Sequence, residues 1–285
     1  RLTELDSSDL NGLPYFNEGK AQYLPFNTFP IQGTEVPEGC QGWLLLLDEL
    51  NSALPSVQSA AYKLILDRQV GQYKLHDDVY FIACGNLDTD NPITYPLSSA
   101  LVSRFAHFYI EPNTKEWTDW ALDNDIDIRI ISFLGFMPSH LYKFNPDSTE
   151  PYASPRTWEM LSKVLSELET IDTTHLPLLA SLIGDGIAHE FMQYLKLADK
   201  VPKLEDIINN PEKVAVPSEL GLQWATTSMV TSNIDNNNYA KLEIYLRRFN
   251  MEMQVVALRY IVKQYPNLVS KTSEWRKALA SEIFI

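Results

Sequence analysis

Residues 43–49 read Trp-Leu-Leu-Leu-Leu-Asp-Glu, and no other stretch restricts the fold as tightly. An unbroken apolar run this short, stopped by charge, suits a strand whose two faces are both covered, as in a parallel sheet flanked by helices. A second run, Val79 to Cys84, has the same character. Between them Pro55 to Arg68 carries Val57, Ala60, Ala61, Leu64 and Ile65 at helical spacing, with Pro55 at the first helical position. Gly71 stops this helix, and Gln69 to Leu75 has room for a short hairpin. A short helix over Ser98 to Ser103 then leads into an expected strand, His107 to Ile110. Strand–helix–strand order with long crossovers predicts a parallel α/β sheet. Arg1 to Leu5 reads as the tail of a further strand, so the chain is expected to be missing its beginning.

After Pro112 only helical signals remain. Thr114 is the expected N-cap of Lys115 to Asp123, and Ile126 to Phe136 is a second helix. Ser154-Pro155 starts a third after the loop Asn145 to Tyr152. Further amphipathic helices follow from about residue 174, divided by Pro202, Pro211, Pro217 and the polar run Ser232 to Asn238. Near the end, Tyr245 to Phe249 and Met251 to Ile261 predict two packed helices. The aromatic-rich segment Trp117 to Phe136 has the spacing of packed core.

Bulk properties exclude several classes. With 285 residues the chain exceeds one ordinary domain, and 45 % hydrophobic residues are enough for a cored globular protein. No run reaches the roughly 18 uncharged apolar residues of a membrane helix. The net charge is -14, and Lys and Arg do not collect into a patch, which disfavours a duplex-DNA or membrane-surface binder. Two cysteines, Cys40 and Cys84, without metal-ligand spacing argue against a disulfide framework and for a reducing cytoplasm. His189-Glu190 lacks the second histidine of a zinc-protease helix, since Gln193 stands there.

Asp48 and Glu49 are the candidate chemistry. They sit at the C-terminal end of a predicted strand, the edge at which ligands bind in open α/β sheets. The first carboxylate suits a hydrated Mg2+ on a nucleotide, and the second suits polarising an attacking water. The same string also describes a buried strand ending in a solvated acidic turn. Val79 to Cys84 ends in Gly85-Asn86, where a neutral polar tip can orient that water or simply make a turn. Arg104 follows Ser98 to Ser103; it is either a helix C-terminal cation or an arginine that reaches a neighbouring subunit's nucleotide.

The order of these pieces resembles the MoxR-like branch of the AAA+ ATPases. The resemblance runs over Asp48-Glu49-Leu50-Asn51-Ser52-Ala53, Val57-Gln58-Ser59-Ala60, Asp67-Arg68-Gln69-Val70, Asn86, Tyr95-Pro96-Leu97 and Ser103-Arg104-Phe105. Upstream, Ser8-Asp9-Leu10-Asn11-Gly12 looks like the element before the family's insert, and downstream Ala153-Ser154-Pro155-Arg156 resembles its lid motif. Asn51-Ser52 replaces the more usual Asn-Arg, and Asp67 a more usual Glu.

The resemblance implies a P-loop NTPase core over 1–111 that lacks its first strand, an all-α lid over 112–170 and a helical extension over 171–285. It implies ATP and Mg2+ as cofactors, with Asp48 in the Mg2+ shell through water and Glu49 as catalytic base. Asn86 would be sensor 1, Arg104 the finger in trans and Arg156 the sensor-2 arginine of the lid. Arg68 is given no role beyond an intersubunit contact. The implied activity is ATP hydrolysis by a ring, most often hexameric, that remodels or loads a protein partner, which in the family often has a von Willebrand A-type domain. The alternatives are a non-hydrolysing scaffold of AAA+ shape and a nucleic-acid motor. One element is missing: no Gly-x-x-x-x-Gly-Lys-Ser/Thr occurs, Gly19-Lys20 being followed by Ala21 with Pro14 where the first Gly belongs. The loop is therefore expected upstream of Arg1, and the fragment alone is expected to be inactive.

Overall fold

The computed structural model describes residues 1–87, 94–168 and 170–280. The chain divides into two compact units, Arg1–Tyr109 and Ile110–Ile285. The first is mixed α/β with a small parallel sheet; the second is helical.

In the first unit, α1 (Ser7–Asn11) is capped by Asp6, whose carboxylate accepts from the Ser8 amide while Asp9 accepts from the Asp6 amide. Gly12 ends it at φ 95°, where a Cβ would lie 2.4 Å from the Leu24 carbonyl oxygen, so glycine is required there. A hairpin follows, β1 (Leu13–Asn17) with β2 (Lys20–Leu24). Next come β3 (Trp43–Leu47), α2 (Pro55–Leu66), a second hairpin of β4 (Gln69–Val70) and β5 (Tyr73–Lys74), β6 (Val79–Ala83) and α3 (Ser99–Val102). The two hairpins are pinned together: Tyr15 and Tyr73 hydroxyls are 3.2 Å apart, and the Tyr23 amide donates to Gln72.

β3 and β6 pair in parallel, Trp43 opposite Val79 through Leu47 opposite Ala83, with α2 as the crossover between them. One face of the pair, with Trp43, Leu45 and Leu47 beside Val79, Phe81 and Ala83, packs with Val57, Ala60, Ala61 and Leu64 of α2. The other face is bare: Leu44, Leu46, Tyr80 and Ile82 are 60, 59, 65 and 47 % exposed. The expectation of a sheet covered on both faces is corrected here, because among the described residues only one apolar layer packs against the strands.

Two predicted strands are also corrected. Leu2–Glu4 is a single 3-10 turn; of its backbone groups only the Leu2 amide bonds the neighbouring strand end, at the Asp48 carbonyl, so no ladder forms. His107 to Ile110 has no strand assignment, and Phe108, Tyr109 and Ile110 stand 86, 77 and 93 % exposed. An extended apolar segment becomes a strand only when another edge accepts its hydrogen bonds.

The second unit holds α4 (Thr114–Asp123), α5 (Ile128–Phe136), α6 (Pro155–Ser166), α7 (Leu176–Ile183), α8 (Asp185–Leu195), α9 (Leu204–Asn209), α10 (Leu220–Ser232), α11 (Tyr239–Leu246), α12 (Met251–Gln264) and α13 (Ser273–Ala278). The cap of α4 is Asn113 rather than Thr114, and Asp127 caps α5. A single core runs from Trp117 to Leu279, so the expected lid and extension share one hydrophobic interior. Its centre is aromatic: Phe133 meets Trp158, Phe191, Tyr194 and the ring of His140. Arg259 of α12 pairs with Asp119 of α4, tying late helices to early ones. Among the described residues no helix is long and apolar enough to cross a membrane.

Candidate active site

The parallel pairing of β3 and β6 sends both strands toward the same edge. Past their ends the two chains stay joined: the Cys84 amide donates to the Leu47 carbonyl and the Leu50 amide to the Cys84 carbonyl, at 3.0 and 2.9 Å. Asp48 and Glu49 leave one strand where Gly85 and Asn86 leave the other, so the sequence-predicted acids and amide share one edge of the sheet.

Asp48 keeps its side chain 41 % exposed, with the Arg1 guanidinium 3.7 Å away. Glu49 has φ 58°, a left-handed backbone that costs a non-glycine residue about 1–3 kcal/mol and concentrates at functional positions. The turn Glu49 to Ala53 returns the chain into α2 through the Ser52 and Ala53 amides, both donating to the Glu49 carbonyl. The Glu49 carboxylate accepts a hydrogen bond from the Thr3 hydroxyl at 2.5 Å. Both acids are therefore held at the surface rather than buried, as solvated ligands for a cation or a water must be.

Asn86 is held from the side of the acids. The Asn51 carboxamide accepts from the Asn86 amide at 3.0 Å and donates to the Asn86 carbonyl at 2.7 Å. The Asn86 side chain donates to the Ser52 hydroxyl at 3.3 Å. The Tyr95 amide donates to the Asn51 carbonyl at 2.7 Å, and Gln58 of α2 donates to the Ala53 and Tyr95 carbonyls. Thr3 and the clamp by Asn51 were missed from sequence. An amide two residues after paired acids was visible, but its partner lies 35 positions on and only the strand pairing brings it near.

Arg104 is exposed and follows α3, its guanidinium donating to the Ala100 carbonyl at 3.0 Å and to the Ser103 hydroxyl at 3.5 Å. Both bonds are to its own helix, which matches the C-terminal cation described above. Arg156 lies in the first turn of α6 in the helical unit, exposed, with no ion pair among the described residues. Arg68 is tied within its own unit. Its guanidinium donates to the carbonyls of His76, Asp77 and Val79 at 2.9, 3.1 and 2.9 Å, binding the base of the second hairpin to β6. These three bonds to carbonyls of its own chain make Arg68 a structural clamp of the first unit. His189 sits on the surface of α8, while the Glu190 carboxylate lies 3.0 Å from His140 Nε2.

Two clefts of about 700 and 530 Å³ lie in the helical unit, and none of Asp48, Glu49, Asn86, Arg104 or Arg156 lines them. The residues at the sheet edge fit a magnesium nucleotide in part: solvated acids and an oriented amide are present, whereas the 285 residues contain no glycine-rich phosphate loop. No protein-family model matches the chain, and neither a curated protein nor a solved structure is found to be similar to it.

Proposed function

We propose that the chain is part of an ATP-hydrolysing subunit of the MoxR-like AAA+ kind, working in a ring, most often hexameric, on a protein partner, with a von Willebrand A-type domain as the partner's expected feature. One observation carries this: the parallel pair β3–β6 delivers Asp48, Glu49 and Asn86 to a single sheet edge, with Glu49 held in a strained left-handed backbone.

Bound Mg2+ would offset charge on the phosphates, and Asp48 would hold it through water. Glu49 would accept a proton from the attacking water, and Asn86 would orient that water. Arg104, exposed beyond α3, would act on a neighbouring subunit's nucleotide, an effect of about 10³–10⁵ in rate in other phosphoryl-transfer systems. A head-to-tail ring is the arrangement in which a residue acts in trans around a closed assembly. Arg156 would serve as the lid arginine near the γ-phosphate.

The second reading is a scaffold of AAA+ shape that does not hydrolyse nucleotide. Replacing Glu49 by Gln in the complete gene product separates the two. Turnover should be abolished with ATP binding retained; turnover unchanged, or absent already in the unmutated protein, would sink the hydrolytic assignment.

A further inference from the structure

We propose that Asn51 is a positioning residue of this site: its carboxamide fixes the Asn86 peptide relative to the Asp48–Glu49 turn, so that losing it slows turnover without weakening nucleotide binding. The inference rests on the hydrolytic assignment above.

The carboxamide of Asn51 matches the Asn86 peptide at both polar groups, accepting from its N–H and donating to its C=O. Such a two-point pairing sets orientation as well as distance, which a single bond does not. The backbone of Asn51 meanwhile accepts from Tyr95, so one residue holds the chain where it leaves β6 and again where it returns toward α3. Asn51 itself lies two residues after Glu49, inside the tight turn closed by the Ser52 and Ala53 amides. Acid and amide thus share one frame, with Asn51 as the link between them.

Gly85 supplies independent support. Its φ is not in the left-handed region, so its backbone does not demand glycine. A Cβ there would lie 2.5 Å from Asn51 Oδ1 and 3.0 Å from Asn51 Cγ. Glycine at 85 is explained by the need to admit the Asn51 carboxamide. Any side chain at that position would push the clamp off Asn86.

Three variants of the complete gene product test this: Asn51→Ala, Asn51→Asp and Gly85→Ala, with the double variant Asn51→Ala/Gly85→Ala and with Glu49→Gln as reference. Asn51→Asp keeps an acceptor for the Asn86 N–H but turns a carboxylate oxygen toward its carbonyl. Each single variant should lower kcat roughly 10- to 100-fold, the scale of an ångström-sized misplacement, with KM for ATP nearly unchanged. In the double variant Gly85→Ala should add almost nothing to Asn51→Ala, because the atom it strikes is gone. Wild-type kcat in Asn51→Asp, a raised KM at unchanged kcat, or losses that multiply in the double variant would each overturn the proposal. So would loss of the folded state in all three single variants, seen in thermal unfolding, since the contact would then be structural. Turnover surviving in Glu49→Gln removes the hydrolytic assignment and this inference together; turnover lost there but intact in Asn51→Asp removes this inference alone.

Discussion

Arg68 shows how much one side chain can commit. Its own backbone is left-handed, at φ 52°, and its guanidinium lies over the Phe81 ring at 5.9 Å while reaching three carbonyls. All three bonds leave one nitrogen, Nη2, and the planar guanidinium also makes a ring contact with Phe81 that an ammonium on a flexible stem makes less well. Arg68→Ala should therefore destabilise the first unit by about 2 kcal/mol, the scale of lost charge-assisted hydrogen bonds, read as a lower urea midpoint; Arg68→Lys should recover only part of it. An unchanged midpoint would mean that water replaces the guanidinium at these carbonyls. The residue-type signal at this position was legible, but its use was not. Arginine in a sequence announces charge, and the carbonyls it serves become its neighbours only when the second hairpin folds back.

Among elements, those with an internal cause were the ones that could be read. α2 follows from Pro55 and an apolar period, and α6 from Ser154-Pro155, where the Ser154 hydroxyl accepts from the Thr157 amide and the Thr157 hydroxyl accepts from the Ser154 amide. Ser154→Ala removes one side of that reciprocal cap and should cost about 1 kcal/mol, measurable as a shift in chemical denaturation; Ser154→Asp should restore most of it. The β3–β6 pair was legible from two apolar runs on either side of an intervening helix. What failed were elements whose cause is external. Leu2–Glu4 and the segment His107 to Ile110 carry strand-like residues, yet a strand is a relation between two chain segments, and among the described residues no partner edge pairs with them. The candidate site divides in the same way: Asp48, Glu49 and Asn86 were legible from strand ends, while Thr3 and the Asn51 clamp depended on long-range pairing.

At the scale of the whole molecule the helical unit hides most of its ionisable phenols. Burial raises the pKa of Tyr194, Tyr239, Tyr245 and Tyr265, and pushes Tyr260 from the ordinary value of 10.0 up to about 12. The folded state therefore keeps protons that the unfolded chain would release. The stability this contributes is complete below pH 10.0 and falls as pH rises through the folded values, about 12 for Tyr260. In alkaline titration these tyrosines should ionise late and together with loss of helical circular dichroism; smooth ionisation near the ordinary value with the helices intact would contradict the burial described above.

The bare face of β3 and β6 has a consequence for how such a chain behaves in solution. A net charge of -14 keeps copies apart by long-range repulsion, and that repulsion fades as ionic strength shortens its range to about 10 Å at 0.1 M salt. The attraction between uncovered leucine and tyrosine surfaces is not screened in this way. Colloidal behaviour is then governed by a contest in which added salt removes one opponent only, so dispersal of this chain depends on keeping ionic strength low.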